Sequence, residues 1–475
     1  MAIGNLVSFR PSGPPSVPPE TWAPAHRAAR RWARPLSHYL HVEATSGVVL
    51  LLAAAVALIW ANSPWRASYE HLWHTPIGLT LGSFTFSHPL HFWINDVLMV
   101  LFFFVAGMEI RREIHEGELS EIQRAALPAV AAIGGMLAPA AIYIAFASGT
   151  TVSGGWGTPM ATDIAFAVGI FALLGKRVPA GLRVLLLALA IIDDIGAIIV
   201  IAVFFSTDFA ASGLLVAAAG IATIFAMQRL GVRRALAYFP AGLIVWAGMY
   251  KSGVHPTIAG VIVGMLTPAR SWYGERGFAS VARKAIDDFA TKVHDHAAAH
   301  DLVAPLSRIE AAQREALPPI VRLTANLHPW VAFGIMPIFA LANAGVDLSQ
   351  VNFSYPSANV LALGIALGLF LGKPLGIVGA CWISVKAGLC SLPRGVDFKG
   401  IAVVGLAAGI GFTMAIFIAG LAFPDPGHLS MAKLAVLLGS GAAGVGALLV
   451  GRFALKPNTD VAEICVDQAE QSTEY

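Results

Sequence analysis

Four residues of this chain could do chemistry that only a buried, apolar setting gives them. Asp193 and Asp194 fall at the centre of the apolar run Val184–Phe205. Lys373 is the single charge of Val360–Val385, again at its centre, and Asp163 is the single charge of Trp156–Leu174. A helix rises 1.5 Å per residue, so a position ten residues from either end lies about 15 Å deep, at the middle of a hydrocarbon layer about 30 Å thick. A charge there costs about 2.5 kcal/mol or far more. Successive helix residues point about 100° apart, so Asp193 and Asp194 cannot share one partner, and one lysine neutralises one aspartate. The surplus carboxylates must be protonated, bind a cation or face water. A carboxylate poised between desolvation and a nearby cation can hold either a proton or a metal cation. The two ligands then compete for one site. In a carrier that changes its facing only when loaded, that competition becomes exchange. Asp163 and Asp194 are candidate cation-side carboxylates, and Asp193 is a candidate partner for Lys373. Because the groups are coupled, their titration belongs to the cluster. The plain alternative is a set of inert salt bridges holding a bundle together, which the adjacent pair fits less well than a lone aspartate would.

The elements that must hold such charges are membrane helices. Of 475 residues, 57% are hydrophobic and 12% are charged, against roughly 25% charged in a soluble domain. The 47 glycines agree, since glycine is more frequent in membrane helices. A net charge of +3 is too small to suggest a nucleic-acid partner. Cys381, Cys390 and Cys465 form no metal or disulfide motif. The fold class expected is an all-α polytopic membrane protein. Twelve spans are predicted, near 45–61, 90–110, 125–147, 156–175, 182–205, 212–228, 235–250, 254–267, 328–345, 358–385, 401–422 and 430–451, the seventh and eighth being short. With the N-terminus inside, the inside loops hold Arg111, Arg112, Arg124, Lys176, Arg177, Arg183, Arg229, Arg233, Arg234, Lys386, Arg394 and Lys399, while the outside connections hold little beyond Arg66 and Lys251. That bias puts both termini in the cytoplasm.

The chain divides into a tail over 1–37, spans over 38–269, an inside insertion over 270–327, spans over 328–455 and a tail over 456–475. The first tail is Pro-rich from Pro11 to Pro24 and then basic, with Arg27, Arg30, Arg31 and Arg34 at helical spacing, either a short basic helix near anionic headgroups or a solvated linker. Within the outside link 64–89, Leu79–Phe86 suggests a β-hairpin. The insertion reads as a solvated helical hairpin. Metal binding by its stretch from His294 through His296 to His300 is the weaker reading. Two spans carry breakers at their centres, Gly154–Asp163 and Gly405–Thr413. Interrupted segments in corresponding halves point to a transporter site made of discontinuous helices, unless the glycines serve only close packing. Two facing helix N-termini want an anion between them, and two C-termini a cation, roles for which Asp163 and Lys373 are well typed.

These residues carry a resemblance. The strings Gly107-Met108-Glu109-Ile110-Arg111-Arg112-Glu113, Ala161-Thr162-Asp163-Ile164-Ala165-Phe166-Ala167, Ile191-Ile192-Asp193-Asp194-Ile195-Gly196-Ala197, Lys251-Ser252-Gly253-Val254-His255, His328-Pro329-Trp330, Ala342-Asn343-Ala344-Gly345-Val346 and Gly372-Lys373-Pro374-Leu375-Gly376 occur in this order. From about residue 38 to 455, leaving out 270–327, the chain resembles the NhaA family of bacterial sodium–proton antiporters. The resemblance implies twelve helices with inverted repeats and crossed, discontinuous fourth and eleventh helices, in the bacterial inner membrane. It implies electrogenic exchange, with more proton charge entering than sodium charge leaving, lithium as an alternative cargo, and no cofactor. It implies that Asp193 and Asp194 bind the ion, that Thr162 lies beside them, and that Asp163 and Lys373 compensate the broken-helix dipoles. Glu109 and Glu113, with Arg112 between them, match a pH-sensing region, and His255 and His328 match family histidines. His328 by itself reads as a hydrogen-bonded anchor. The hairpin at 64–89 would be a homodimer contact. One departure is visible: Thr324 and Ala325 stand where the family commonly has Glu and His, so part of the usual pH-response cluster is missing.

Three rival readings separate on chemistry. An intramembrane aspartyl protease needs carboxylates on two facing helices, whereas two here are adjacent on one. A sodium-coupled symporter needs a pocket for its solute. A cation channel is opposed by a central lysine.

Overall fold

Apolar runs interrupted by glycine and proline should give helices of unequal length, and they do. The computed structural model describes residues 43–455 except 83, 207–208, 233, 272–273, 296–297, 350, 352, 354 and 394. The two tails, His296, Arg233 and Arg394 therefore lie outside the described residues. In chain order the helices are α1 (Glu43–Ala61), α2 (Arg66–His74), α3 (Leu90–Glu116), α4 (Ile122–Ala147), α5 (Ile164–Leu174), α6 (Ala180–Phe204), α7 (Ala211–Arg229), α8 (Phe239–Ser252), α9 (Thr257–Leu266), α10 (Gly274–His294), α11 (Val303–Ala316), α12 (Pro319–Asn343), α13 (Ala358–Lys386), α14 (Phe398–Ala408), α15 (Phe412–Ala422) and α16 (Pro426–Ala454). Among the described residues eight helical stretches are long and apolar enough to cross a bilayer, and ten if the bent pairs α1–α2 and α14–α15 are each taken as one. The chain is thus a multi-pass helical membrane protein. The seventh and eighth expected spans are the short helices α8, of 14 residues, and α9, of 10.

The fourth expected span differs from its simple reading. Residues Ser153–Met160 form a 3₁₀ segment, and regular α-helix begins only at Ile164. Gly155 and Gly157 cost helix stability, and Pro159 removes a backbone donor and crowds the preceding turn. The chain then crosses residues 161–163 without helical bonds. The second interruption is shorter: α14 ends at Ala408, α15 starts at Phe412, and the two axes differ by 49°.

Two features lie apart from the helical core. Strands β1 (Pro76–Leu81) and β2 (Phe84–Pro89) pair antiparallel, with Leu79 opposite Phe86. Phe86 packs edge-on against Trp93 and Trp246, and the Trp93 indole donates to the Ile77 carbonyl at 2.9 Å, so the hairpin is seated on α3 and α8. In the insertion, α10 and α11 lie side by side, joined by Arg308 to Asp288 at 3.3 Å and by Lys292 to the Asp301 carbonyl at 3.2 Å. The insertion leaves and rejoins the bundle at one point, where the Ile320 amide donates to the Pro268 carbonyl.

The helix pair α4–α13 sets the position of Lys373. A Cβ on Gly376 would lie 2.1 Å from the Gly134 carbonyl oxygen, and one on Gly134 would lie 2.3 Å from that of Gly376. The two backbones touch, as small residues permit in lipid. Gly376→Ala therefore has no room. The variant should lose about 1–3 kcal/mol from overpacking, read as a lower unfolding midpoint of the detergent-purified protein, with a larger loss for Gly376→Val.

Candidate functional site

The two interruptions meet. The Asp163 amide donates to the Ile410 carbonyl at 2.7 Å, and a Cβ on Gly411 would lie 2.8 Å from the Ala161 carbonyl oxygen. Only glycine lets the broken backbones approach this closely. Each interruption exposes a helix N-terminus, with N–H groups that have no partner in their own helix.

One carboxylate serves both ends. Asp163 is the N-cap of α5, where its Oδ1 accepts from the Phe166 amide at 3.3 Å. Its Oδ2 accepts from the Thr413 amide of α15 at 3.2 Å and from the Thr413 hydroxyl. Each N-terminus carries roughly half a positive charge, so one carboxylate balances two. Two more donors of α15, the Gly411 and Phe412 amides, give to the hydroxyl of Ser440 on α16 at 3.2 and 3.1 Å. Thr413 and Ser440 are site residues that the sequence reading missed. Thr413 ends the Gly-rich string, and Ser440 is a hydroxyl in an apolar span, signals too common to single out.

The opposite pole is built around Lys373. Pro374 has no N–H, and residues Gly368–Gly372 relax into a π-helical turn just before the lysine. The Lys373 ammonium donates to Asp193 Oδ2 at 2.6 Å and to Thr162 Oγ1 at 2.8 Å. Thr162 in turn donates to the carbonyl of Ala408 at 2.8 Å, the last residue of α14. The cation thus reaches the C-terminal dipole of α14 through one hydroxyl. Lys373 and Asp193 are 0% and 1% exposed. A Cβ on Gly135 would lie 2.8 Å from Ile377 Cγ1, so this glycine lets Ile377, one turn beyond Lys373, pack against α4.

Five of the expected site residues, Thr162, Asp163, Asp193, Asp194 and Lys373, are therefore buried together. Lys373 uses one oxygen of Asp193. The other, Oδ1, is buried with no hydrogen-bond partner. Asp194 is also buried, and among the described residues no cation pairs with it within contact distance. It lies within electrostatic range of Asp193, Asp163, Lys373 and Glu109. A buried unsatisfied acceptor is rare in native structures and asks for an occupant. Among the described residues no three His, Cys, Asp or Glu side chains form a metal cage.

The expected regulatory residues are placed apart. Glu109, Arg112 and Glu113 lie on the last turns of α3. Among the described residues Arg112 makes no contact ion pair with either glutamate. Glu113 Oε1 accepts the Glu118 amide at 3.1 Å, and Glu109 feels Arg112, Glu113 and His328 electrostatically. His255 precedes α9, with Nδ1 2.7 Å from the Thr257 hydroxyl and Nε2 3.5 Å from Asp96. Thr324 is buried on α12 with its hydroxyl unpartnered.

Removing one member of a buried ion pair strands the other, a loss of about 3–5 kcal/mol. Lys373→Met should lower the unfolding midpoint sharply. Adding Asp193→Asn to it should restore much of the loss, so that the two changes are strongly non-additive in a double-mutant cycle. Additive losses would mean that the pair does not carry this energy.

Comparison with known proteins places this geometry. Residues 37–450 match the family described as Na+/H+ antiporter 1. A relative named Na(+)/H(+) antiporter NhaA 2 from Sorangium cellulosum (strain So ce56) is 58% identical over 465 residues, covering 97% of this chain and 98% of its own. One of the same name from Myxococcus xanthus (strain DK1622) is 56% identical over 469 residues, covering 98% and 100%. A third, Na(+)/H(+) antiporter NhaA from Janthinobacterium sp. (strain Marseille), is 50% identical over 444 residues, covering 93% and 98%. With the family match spanning most of the chain and identity this high over nearly full length, the chain belongs to the Na+/H+ antiporter 1 family.

Proposed function

We propose that the buried carboxylates carry sodium–proton exchange by competition at one site. The coarse activity follows from family membership: the chain is a sodium–proton antiporter, a transporter and not an enzyme, whose cargo is Na+ and H+. In the proposed mechanism Na+ binds between Asp194 and the free oxygen of Asp193. Protons from the other face discharge the same carboxylates. The observation that carries this reading is the imbalance at the site. Lys373 satisfies one oxygen of Asp193 and leaves Asp193 Oδ1 and Asp194 without a cation.

The frame proposed around it has twelve spans with inverted repeats. α8 and α9 are the two short ones, and the interrupted stretches 153–174 and 398–422 cross at the site. Asp163 and Lys373 hold the broken ends while Thr162 links the lysine to α14. Fixed charges at the dipole ends keep the interruption formed whichever ion is bound, so the bundle can change its facing as a rigid unit. Exchange is electrogenic, Li+ replaces Na+, and both termini lie in the cytoplasm of a bacterial inner membrane. The pair α10–α11 then stands in the cytoplasm, and the hairpin β1–β2 lies outside, where it joins two copies. Glu109, Arg112, Glu113 and His255 adjust the response to pH. The range of Glu109 to Asp194 gives that adjustment a direct electrostatic route. With Thr324 and Ala325 in place of an acid and a histidine, part of the family's usual pH-response cluster is missing from that route.

The test is a pH gradient imposed on everted vesicles or proteoliposomes. Sodium should collapse it, Asp194→Asn should abolish the collapse, and Asp194→Glu should retain part of it at a raised KM for sodium. No sodium effect at any pH between about 6.5 and 9 would sink the reading.

A further inference from the structure

The N-terminal ends of α13 and α16 meet, and a titratable side chain ties them. Asp425 is the N-cap of α16, where its Oδ2 accepts the His428 amide at 2.9 Å. Its Oδ1 accepts the Tyr355 hydroxyl at 3.1 Å, and Tyr355 belongs to the turn that opens α13. The His428 ring reaches the same turn. Nε2 lies 3.1 Å from the Pro356 carbonyl oxygen and Nδ1 lies 3.1 Å from Asp425 Oδ2. Tyr355 stands edge-on to His428, with centroids 4.8 Å apart. A Cβ on Gly427 would lie 3.1 Å from Tyr355 Cζ, so the tyrosine lies close over the first turn of α16.

The turn held in this way is strained. Ser357 has a φ of 62°, the only non-glycine residue in the left-handed region among the described residues. A Cβ there crowds its own backbone, and such a conformation persists only where its surroundings over-determine it. Ser357 itself makes no side-chain cap for α13. Within the turn the Ala358 amide donates to the Tyr355 carbonyl at 3.1 Å. The rest of the hold comes from α16, on the Pro356 carbonyl and the Tyr355 hydroxyl.

These contacts set the number of protons the ring must carry. A carbonyl oxygen only accepts, so Nε2 is a donor. Asp425 is ionised, since the His428 amide, chiefly, holds its carboxyl below the usual range, with Tyr355 adding to the effect. A lone pair on Nδ1 would be repelled by the carboxylate oxygen it faces, and a proton there is attracted. Only the doubly protonated ring serves both acceptors, and the neutral ring gives up one. Among the described residues no Lys, Arg or Glu contacts either side chain. Phe423 lies on another side of the ring, at 6.4 Å between centroids. The His428 side chain is 15% exposed, which leaves it open to protons.

We propose that His428 and Asp425 form a proton-operated clasp that holds the strained turn Tyr355–Ser357, and with it the first turn of α13, against α16. The clasp is closed while the ring is charged. As pH rises and the ring loses its second proton, one acceptor is released and Ser357 relaxes. Farther in, the two helices touch again, where a Cβ on Gly439 would lie 3.0 Å from Ala366 Cα. Opening is therefore confined to the end of α13, and the region of Lys373 stays packed. The clasp goes beyond the exchange reading and takes from it only the topology, which puts these helix ends on the outer face.

Hydrogen exchange on the full chain in detergent tests it, at about pH 5.5 and 8.5 on either side of the histidine range, corrected for the intrinsic rate. Protection of the amides from Ala358 to Leu361 should fall about tenfold at the higher pH, the loss of one charge-assisted contact. Protection around Lys373 should not change. His428→Gln should show the lower protection at both pH values. Ser357→Gly removes the strain and should keep the higher protection at both. A parent without this pH dependence, or a dependence that neither substitution alters, overturns the clasp. In sealed proteoliposomes the external pH alone should set the protection. Control by the internal pH would overturn the topology and leave the clasp standing.

Discussion

Two helices are interrupted inside an apolar bundle, and every backbone dipole exposed there must meet a charge or a hydroxyl. The rest of the structure depends on that constraint. In lipid no water is at hand to satisfy a free N–H or C=O, so irregular backbone survives only where protein groups complete it. Here the completion is divided by sign. Asp163 takes donors from α5 and α15, Ser440 takes two more from α15, and Lys373 works through Thr162 on the end of α14. The glycines at the interruption let the strands touch, and the helices around it fix the side chains that close it.

That division leaves a remainder. Three aspartates and one lysine are buried around the interruption. One aspartate balances two N-terminal dipoles and the lysine balances most of a second aspartate. The third has no fixed partner. Full neutralisation by a second lysine would make a stable but inert core, since a buried pair is held by mutual attraction. In the proposed mechanism the missing charge keeps the site responsive, because the negative charge left over is balanced by whichever small cation reaches it.

The helix α3 carries half-buried acids at both of its ends. Near its start it carries Asp96 beside His255. Near its end it carries Glu109 and Glu113, and Glu109 lies within electrostatic range of Asp194. It is packed closely along α9, where Gly107, Gly260 and Gly264 leave no room for a side chain.

Composition and spacing alone determined much of this protein. Long runs with so little charge had to be membrane helices, because no other solvent accepts them. The types of the four buried charges were equally plain, since each is conspicuous in an apolar run. Glycine marked both interruptions and proline the first, because their backbone effects are local. Tertiary structure decided which charge meets which partner. Nothing local says that Lys373 should reach Asp193 and leave Asp194 free, because that depends on how α6 is rotated about its axis relative to α13. Nothing local says that Asp163 should cap α15 as well as its own helix, or that Ser440 and Thr413 should share the work, because those bonds join residues up to 250 positions apart.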